Sequence, residues 1–96
     1  MSDFRIEDRG EGRFALGGEM SFANADRILR ASGPVFAAHD DLEIDLSDVR
    51  KADSAGLALL LEWKSEARRR HARIRFRDIP QGLAAIARTT GVDAFL

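Results

Sequence analysis

The sequence contains no cysteine, a single tryptophan and only two prolines among its 96 residues. The absence of cysteine excludes disulfide bonds and thiolate chemistry, and it suits a reducing compartment such as the cytosol. A charge excess of one sign is also lacking, because the formal net charge is −1 at pH 7. A chain so close to neutrality has no long-range field of the kind that attracts nucleic acid.

Long hydrophobic runs are missing as well. The longest apolar run covers residues 55–61 and is far too short to cross a bilayer. The amino-terminal residues lack the basic and apolar regions of a signal peptide. We therefore expect a cytoplasmic protein with a single domain over residues 1–96, whose contact with any membrane is peripheral or made through a partner.

The periodicity of apolar residues predicts seven elements. Alternation predicts strands over residues 3–8, 13–16, 42–46 and 73–79. Helical spacing predicts a first helix capped by Ser21, with Phe22 on its buried face, and interrupted at residues 32–34. A second helix is predicted over residues 54–70, and a third from Pro80 to Gly91.

The element order ββαβαβα predicts an α/β fold. Strands that alternate with helices favour a mixed sheet of about four strands whose last members are parallel. Because the strands alternate in polarity, one face of the sheet is expected to carry the three helices and the other to contact water.

The most informative segment runs from the third strand into the long helix. Asp53 and Ser54 stand at the predicted helix start, where backbone N–H groups are unpaired and the helix dipole is positive. Asp53 is the better candidate for the N-cap. The small residues that follow would let another molecule approach closely, so the segment resembles a docking or anion-binding site.

A helical projection separates the long helix into two faces. It places Leu57, Leu60 and Trp63 toward the core and puts Leu59 on the opposite, exposed side. The indole N–H of Trp63 is expected to contact water. An isolated exposed leucine is common in proteins, so that placement is also compatible with no function. The functional interpretation is a shallow partner-binding strip formed by Asp53, Ser54, Ala55, Ala58, Leu59 and Glu62.

Catalytic and metal-binding interpretations receive little support. Ser54 as a nucleophile would need a base within reach, but His39 precedes a strand and His71 lies at the far end of the long helix. Asp45 and Asp48 add carboxylates near Asp53, yet no further ligand is spaced to complete a metal site. We therefore expect no catalytic residue, metal or cofactor.

Arginines concentrate in residues 68–77. On the fourth strand they share one face, where pairing with Glu43 and Asp45 of the neighbouring strand would make a solvated charged surface. The alternative is a patch that faces anionic lipid headgroups.

The sequence resembles the STAS domain family over nearly its whole length. The family pattern is a strand that ends in Asp-Leu-Ser, here residues 45–47, followed by a helix start of the type Asp-Ser-Ala-Gly-Leu, here residues 53–57. Residues 17–22 and 79–83 are similar to the family's second strand with its first helix and to its last strand with its last helix.

Two branches of this family differ at the residue before the glycine. Anti-sigma factor antagonists typically carry a serine there that a partner kinase phosphorylates, whereas this chain has Ala55. The run 53–63 is instead similar to the MlaB branch, whose members are small cytosolic subunits of the Mla ABC transporter. That complex moves phospholipid between the inner and outer membranes of Gram-negative bacteria and maintains the lipid asymmetry of the outer membrane.

The MlaB resemblance implies a non-enzymatic subunit that binds an MlaF-like ATPase, which forms a complex with a permease, and that supports assembly and activity. It also implies that Ser54 lies at the ATPase contact. The other branch implies a partner-switching anti-sigma factor antagonist, in which Ser54, next to Ala55, would be the phosphorylation site.

Overall fold

The computed structural model describes residues 3–96, which form four strands and three α-helices in the predicted order. Residues 1 and 2 of the predicted domain lie outside this part of the chain. The elements are β1 (Phe4–Asp8), β2 (Arg13–Met20), α1 (Ala25–Phe36), β3 (Asp41–Ala52), α2 (Ser54–Arg69), β4 (Arg73–Arg77) and α3 (Gln81–Thr90), followed by a 3₁₀ turn (Asp93–Phe95).

The strands form one mixed sheet in the order β1-β2-β3-β4. The β1–β2 hairpin is antiparallel, and β2–β3 and β3–β4 are parallel pairs. Parallel neighbours need a crossover, which α1 provides between β2 and β3 and α2 between β3 and β4. The predicted α/β class and the parallel pairing of the last strands are confirmed.

The two faces of the sheet differ in polarity, as the alternation predicts. In the core between the sheet and the helices, the strand residues Phe14 and Ile44 and the helix residues Leu60 and Leu83 are each at most 1% exposed. The opposite face carries ion pairs, two of which reach from β1 or the turn after it across β2 to β3, while the third joins the neighbouring strands β3 and β4. They are Arg5–Asp48 at 3.2 Å, Arg9–Asp45 at 3.1 Å and Arg77–Glu43 at 3.5 Å.

The prediction that the second strand ends at residue 16, just before Gly17, is wrong. Gly17 pairs with Arg5 of β1 and with Asp48 of β3, so the strand is held on both sides and continues to Met20. A register shift in the β2–β3 ladder lies next to Gly17. The Arg5 guanidinium covers this glycine so closely that a Cβ would lie 2.6 Å from Cζ, and the exposed arginine side chain would have to move aside for any larger residue.

The first helix differs from the prediction at both ends. It begins at Ala25 rather than Ser21, and the Ser21 hydroxyl accepts the N–H of Ala23 in the turn before the helix. The helix also continues through Pro34, because Pro34 lies in the last turn and the helical bond from Ala37 N–H to Gly33 O, 3.0 Å, closes beyond it. Buried Phe36 anchors that last turn in the core.

Trp63 joins α1 to α2. Its ring is 4% exposed, which confirms the core placement, but its N–H donates to Ser32 Oγ at 2.9 Å instead of contacting water. Ser32 itself is fully buried on α1, so the segment predicted to interrupt the helix begins with a residue of the core.

None of the helices within residues 3–96 has both the length and the apolar character that crossing a bilayer requires.

Candidate functional site

The site begins with Asp53, the residue between β3 and α2. Its backbone is extended, with φ −130° and ψ −166°, and its Oδ1 accepts the N–H of Ala55 at 2.8 Å. This is the predicted N-cap, and it is confirmed. The second oxygen, Oδ2, accepts the N–H of Phe22 at 3.2 Å. One carboxylate therefore fixes both the start of α2 and the turn that leads into α1.

A groove of about 400 Å³ lies between α1 and α2 beside this cap. Its lining is mostly apolar and includes every residue of the predicted strip except Asp53. The lining residues are Phe22, Ala25, Asp26, Leu29, Ser54, Ala55, Ala58, Leu59 and Glu62. The structure thus brings most of the predicted strip together along one wall, and α1 supplies the other.

The prediction that Leu59 is exposed is wrong. Leu59 is 4% exposed and Ala55 is 7% exposed, so both form the floor of the groove. The reason is that α2 packs on the sheet with one side and against α1 with another, which buries more than the single face of the projection. Ser54 and Ala58 are exposed and Glu62 is half-buried, so these three side chains are the accessible part of the strip within the groove.

Phe22 is a residue of this groove that the sequence pattern does not indicate. Its side chain is 79% exposed at the rim of the groove, although helical spacing from Ser21 placed it in the core. Because α1 starts only at Ala25, Phe22 belongs to the preceding turn and does not follow the helical pattern. The signal that could have identified it is Asn24, because asparagine is favoured at the N-cap of a helix. A helix that starts after Asn24 leaves Phe22 in the preceding turn.

A buried polar network holds the Phe22 turn in place. The Asn24 side chain, 1% exposed, accepts the N–H of Ser21 at 3.0 Å and donates to the carbonyl oxygen of Glu19 at 2.8 Å and to Asp3 at 3.0 Å. The hydrogen bonds from Asn24 and then Arg27 lower the pKa of the Asp3 carboxyl. Every buried side-chain nitrogen and oxygen within residues 3–96 has a partner, so the turn is well determined.

Gly56 explains why the helix start needs a residue without a side chain. A Cβ at this position would lie 2.9 Å from the backbone oxygen of Met20 at the end of β2. The first turn of α2 therefore packs directly on the β2 backbone. This contact sets the height of Ser54 and Ala55 above the sheet.

The three acidic residues near the helix start have separate partners. Asp45 accepts hydrogen bonds from the backbone N–H of Ser47, at 2.9 Å, and from the side chain of Arg9. Both contacts lower the pKa of Asp45, and the bond from Ser47 has the larger effect. Asp48 pairs with Arg5, and Asp53 caps α2. Within the part of the chain that the structure describes, no three such side chains are arranged to hold a metal ion.

The two histidines lie away from the groove that Ser54 lines. The His39 ring packs edge-on against Phe14, with 5.5 Å between the ring centroids, and His71 follows the last turn of α2. Neither side chain contributes to the lining around Ser54. The geometry therefore brings neither histidine to this serine as a general base.

The arginines of β4 pair in part as predicted. Glu43 lies 3.8 Å from Arg75 and 3.5 Å from Arg77. Asp45 does not join them, because the longer β3 and the β1–β2 hairpin bring Arg9 to it instead. The side chain of Arg73 makes no ion pair with residues 3–96.

Comparison with known protein families gives one match that covers nearly the whole chain. Residues 5–96 match the family model described as "Mlab, STAS domain". The chain belongs to this family of MlaB-type STAS domains. STAS domains interact with other proteins and are typically non-enzymatic regulatory or interaction domains. A comparison with curated proteins found no match.

Solved structures with the same fold include anti-sigma factor antagonists. Unphosphorylated SpoIIAA is 17% identical, with 96% of this chain and 84% of that chain covered and a TM-score of 0.71. Phosphorylated SpoIIAA of Bacillus is also 17% identical, with 96% and 86% covered and a TM-score of 0.70. An antagonist from Mycobacterium paratuberculosis is 24% identical, with 95% and 79% covered and a TM-score of 0.70. These likenesses show that the STAS domain has the expected fold.

Proposed function

We propose that this STAS domain is a non-enzymatic accessory subunit that binds the ATPase of an inner-membrane phospholipid-transport ABC complex. In this role it supports assembly and activity of the complex and thereby maintains the lipid asymmetry of the outer membrane. It resides in the cytoplasm and reaches the membrane through the ATPase and its permease. The family match to the MlaB type is the observation that carries the proposal.

Ala55 supports this branch of the family over the phosphorylated one. The residue before Gly56 has no hydroxyl, and it lies on the groove floor at 7% exposure. A kinase therefore has no acceptor at that position. A constitutive contact with an ATPase needs no such acceptor.

The groove between α1 and α2 has the features of a protein-docking surface. Ser54 and Ala58 are small and exposed, so a partner backbone can approach α2 closely. Phe22 at the rim offers a large apolar side chain, and exposed aromatic residues are common anchors at interfaces. Binding would favour one ATPase conformation through contacts that differ between its states.

The test is the dissociation constant of the purified pair of this chain and the ABC ATPase from the same organism. Ala58→Arg places a long cation on the accessible wall of the groove, and Ala85→Arg makes the same change on exposed α3 as the matched control. We expect the first variant, and likewise Ser54→Arg, to weaken binding at least tenfold, and the control to bind like the parent. Equal affinities for all variants would refute the groove as the docking site.

The second candidate function is that of an anti-sigma factor antagonist, which the fold likeness to SpoIIAA favours. In that case Ser54, exposed in the first turn of α2, is the phosphorylation site. A phosphate there would add negative charge to the docking strip and break the complex. Phosphorylation of Ser54, but not of a Ser54→Ala variant, by a co-expressed partner kinase would favour this function over the first.

A further inference from the structure

The basic residues at the end of α2 divide into two groups. The first group is already paired. Arg69 bonds Glu62, at 3.4 Å, and Glu66 on its own helix. Arg70 donates to two backbone oxygens at and just beyond the end of α1, at 2.9 and 2.8 Å. The side chains of these two arginines are therefore already occupied by other groups of the chain.

The second group has no such partners. The side chains of Arg68, His71 and Arg73 are exposed and make no ion pair or hydrogen bond with residues 3–96. Together with Lys64 and Arg75 they line an open groove of about 610 Å³ between the end of α2 and β4. The lining contains no carboxylate, and Arg75 is the one lining residue that Asp41 and Glu43 approach within residues 3–96, both at 3.8 Å.

The backbone at the end of α2 arranges these side chains around the groove. His71 adopts a left-handed conformation with φ 59°, at the position after the helix where glycine is usual. The N–H of His71 bonds Arg68 O at 3.1 Å, and the N–H of Ala72 bonds Ala67 O at 2.8 Å. This closed turn brings Arg68, from the helix, and Arg73, from the strand, to one groove.

Lys64 forms the inner wall of the same groove. Its ammonium group donates to the backbone oxygen of Ile74 at 3.0 Å and lies 5.7 Å from the centre of the Phe76 ring. It thereby covers part of the open edge of β4, which has no strand beyond it. A fixed cation behind two unpaired arginines is an arrangement suited to an anion with several oxygens.

We propose that the groove lined by Lys64, Arg68, His71, Arg73 and Arg75 binds a phosphate group. Guanidinium groups offer paired N–H donors that match phosphate oxygens, and the imidazole adds a further donor. The phosphate comes from an anionic phospholipid headgroup or from a soluble phosphate compound. The site is about 21 Å along α2 from Ser54, at roughly 1.5 Å per residue, and it does not depend on the proposed ATPase contact.

The experiment measures two probes against the full chain at low ionic strength. The first is co-sedimentation with vesicles of phosphatidylglycerol and phosphatidylcholine, with pure phosphatidylcholine vesicles as the neutral reference. The second is titration with inorganic phosphate, followed by the amide NMR signals of residues 68–75. The groove variant is Arg68→Gln/Arg73→Gln. The matched control is Arg50→Gln/Arg88→Gln, which removes the same charge from exposed positions outside the groove.

We expect the groove variant to lose about thirtyfold in partitioning to anionic vesicles, or to lose the phosphate-induced shifts, and the control to keep at least half of the binding. Vesicle binding without a phosphate response identifies the lipid as the source. A phosphate response without vesicle binding identifies a soluble compound. Binding of neither probe, or an equal loss in both variants, would overturn the proposal. The NMR spectrum of each variant reports whether it is folded.

Discussion

The backbone N–H of Phe22 donates to Oδ2 of Asp53 at 3.2 Å, across the gap between two helix starts. The same carboxylate caps α2 through Ala55. Phe22 is also the most exposed of the large hydrophobic side chains in residues 3–96. The N-cap of α2 therefore determines where Phe22 lies at the rim of the groove between α1 and α2.

Replacement of Asp53 should both destabilise the fold and release the Phe22 turn. Asp53→Ala removes two acceptors, and we expect a loss of about 1–2 kcal/mol in the free energy of unfolding. Asp53→Asn keeps one acceptor oxygen and should lose less. Urea denaturation of the two variants and the parent measures this order. An alanine variant as stable as the parent would contradict the double role of the carboxylate.

Leu59 and Ala58 are neighbours in sequence, but the introduction of a charge should destabilise the fold far more at Leu59 than at Ala58. Leu59→Asp buries an unpaired carboxylate at a 4% exposed position, so we expect a loss of about 3 kcal/mol or more or failure to fold. Ala58→Asp on the exposed wall should change stability by less than about 1 kcal/mol. Thermal unfolding followed by circular dichroism compares them, and similar losses would contradict the assigned burial.

Phe22 should matter for partner binding and hardly at all for stability. Because its side chain is 79% exposed, Phe22→Ala should change the free energy of unfolding by less than about 0.5 kcal/mol. If the groove between α1 and α2 binds the ATPase, the same variant should weaken the binding free energy by about 2 kcal/mol, which raises the dissociation constant roughly thirtyfold. Phe95→Ala, 59% exposed at the other end of the chain, is the control. Isothermal titration against the ATPase would reject Phe22 as an anchor if both variants bind like the parent.

The hydrogen bond from Trp63 to Ser32 should be measurable with the chain's only tryptophan. Ser32→Ala leaves a buried indole N–H unsatisfied and should cost about 1–3 kcal/mol. Ser65→Ala removes a hydroxyl that bonds only exposed Arg69 and should cost less than about 0.5 kcal/mol. Guanidinium denaturation followed by Trp63 fluorescence compares the two. Equal stabilities would show that the indole N–H has another partner.

The lowered pKa of Asp45 predicts a pH dependence of stability. A carboxyl whose pKa is lower in the folded state stabilises the fold above its unfolded pKa of about 3.9, and this stabilisation is lost as the pH falls through the folded value. Asp45→Asn should therefore be less stable than the parent by about 0.5–1 kcal/mol at pH 6. The difference should shrink below about pH 4. A difference that stays constant down to pH 2 would contradict this origin.

The sequence predicts the parts of this molecule that depend on local chemistry. Strand alternation, the Asp53 cap and the break at Gly91 act within a few residues, and each is found in the structure. The strip residues Ser54, Ala58 and Glu62 could also be located, because the cap fixes the phase of the helix.

The errors arise where tertiary contacts decide. Leu59 is buried because α1 lies beside α2, and a projection of one helix contains no information about its neighbour. Gly17 remains in a strand because β1 and β3 pair with it on both sides, which overrides the low strand preference of glycine. Phe22 was misplaced because the position of the first helix start depends on Asn24 bonding residues of β2 and the chain before β1.

Affinity isolation of the tagged protein from its native cell, in mild detergent and with mass spectrometry, tests the proposed role of this STAS domain. The parent should recover an ABC ATPase together with its permease, and so should the Ala85→Arg control. The Ala58→Arg variant should lose both. Recovery of a histidine-kinase-like anti-sigma protein without any ATPase would contradict the transporter role and make Ser54 the phosphorylation site to examine.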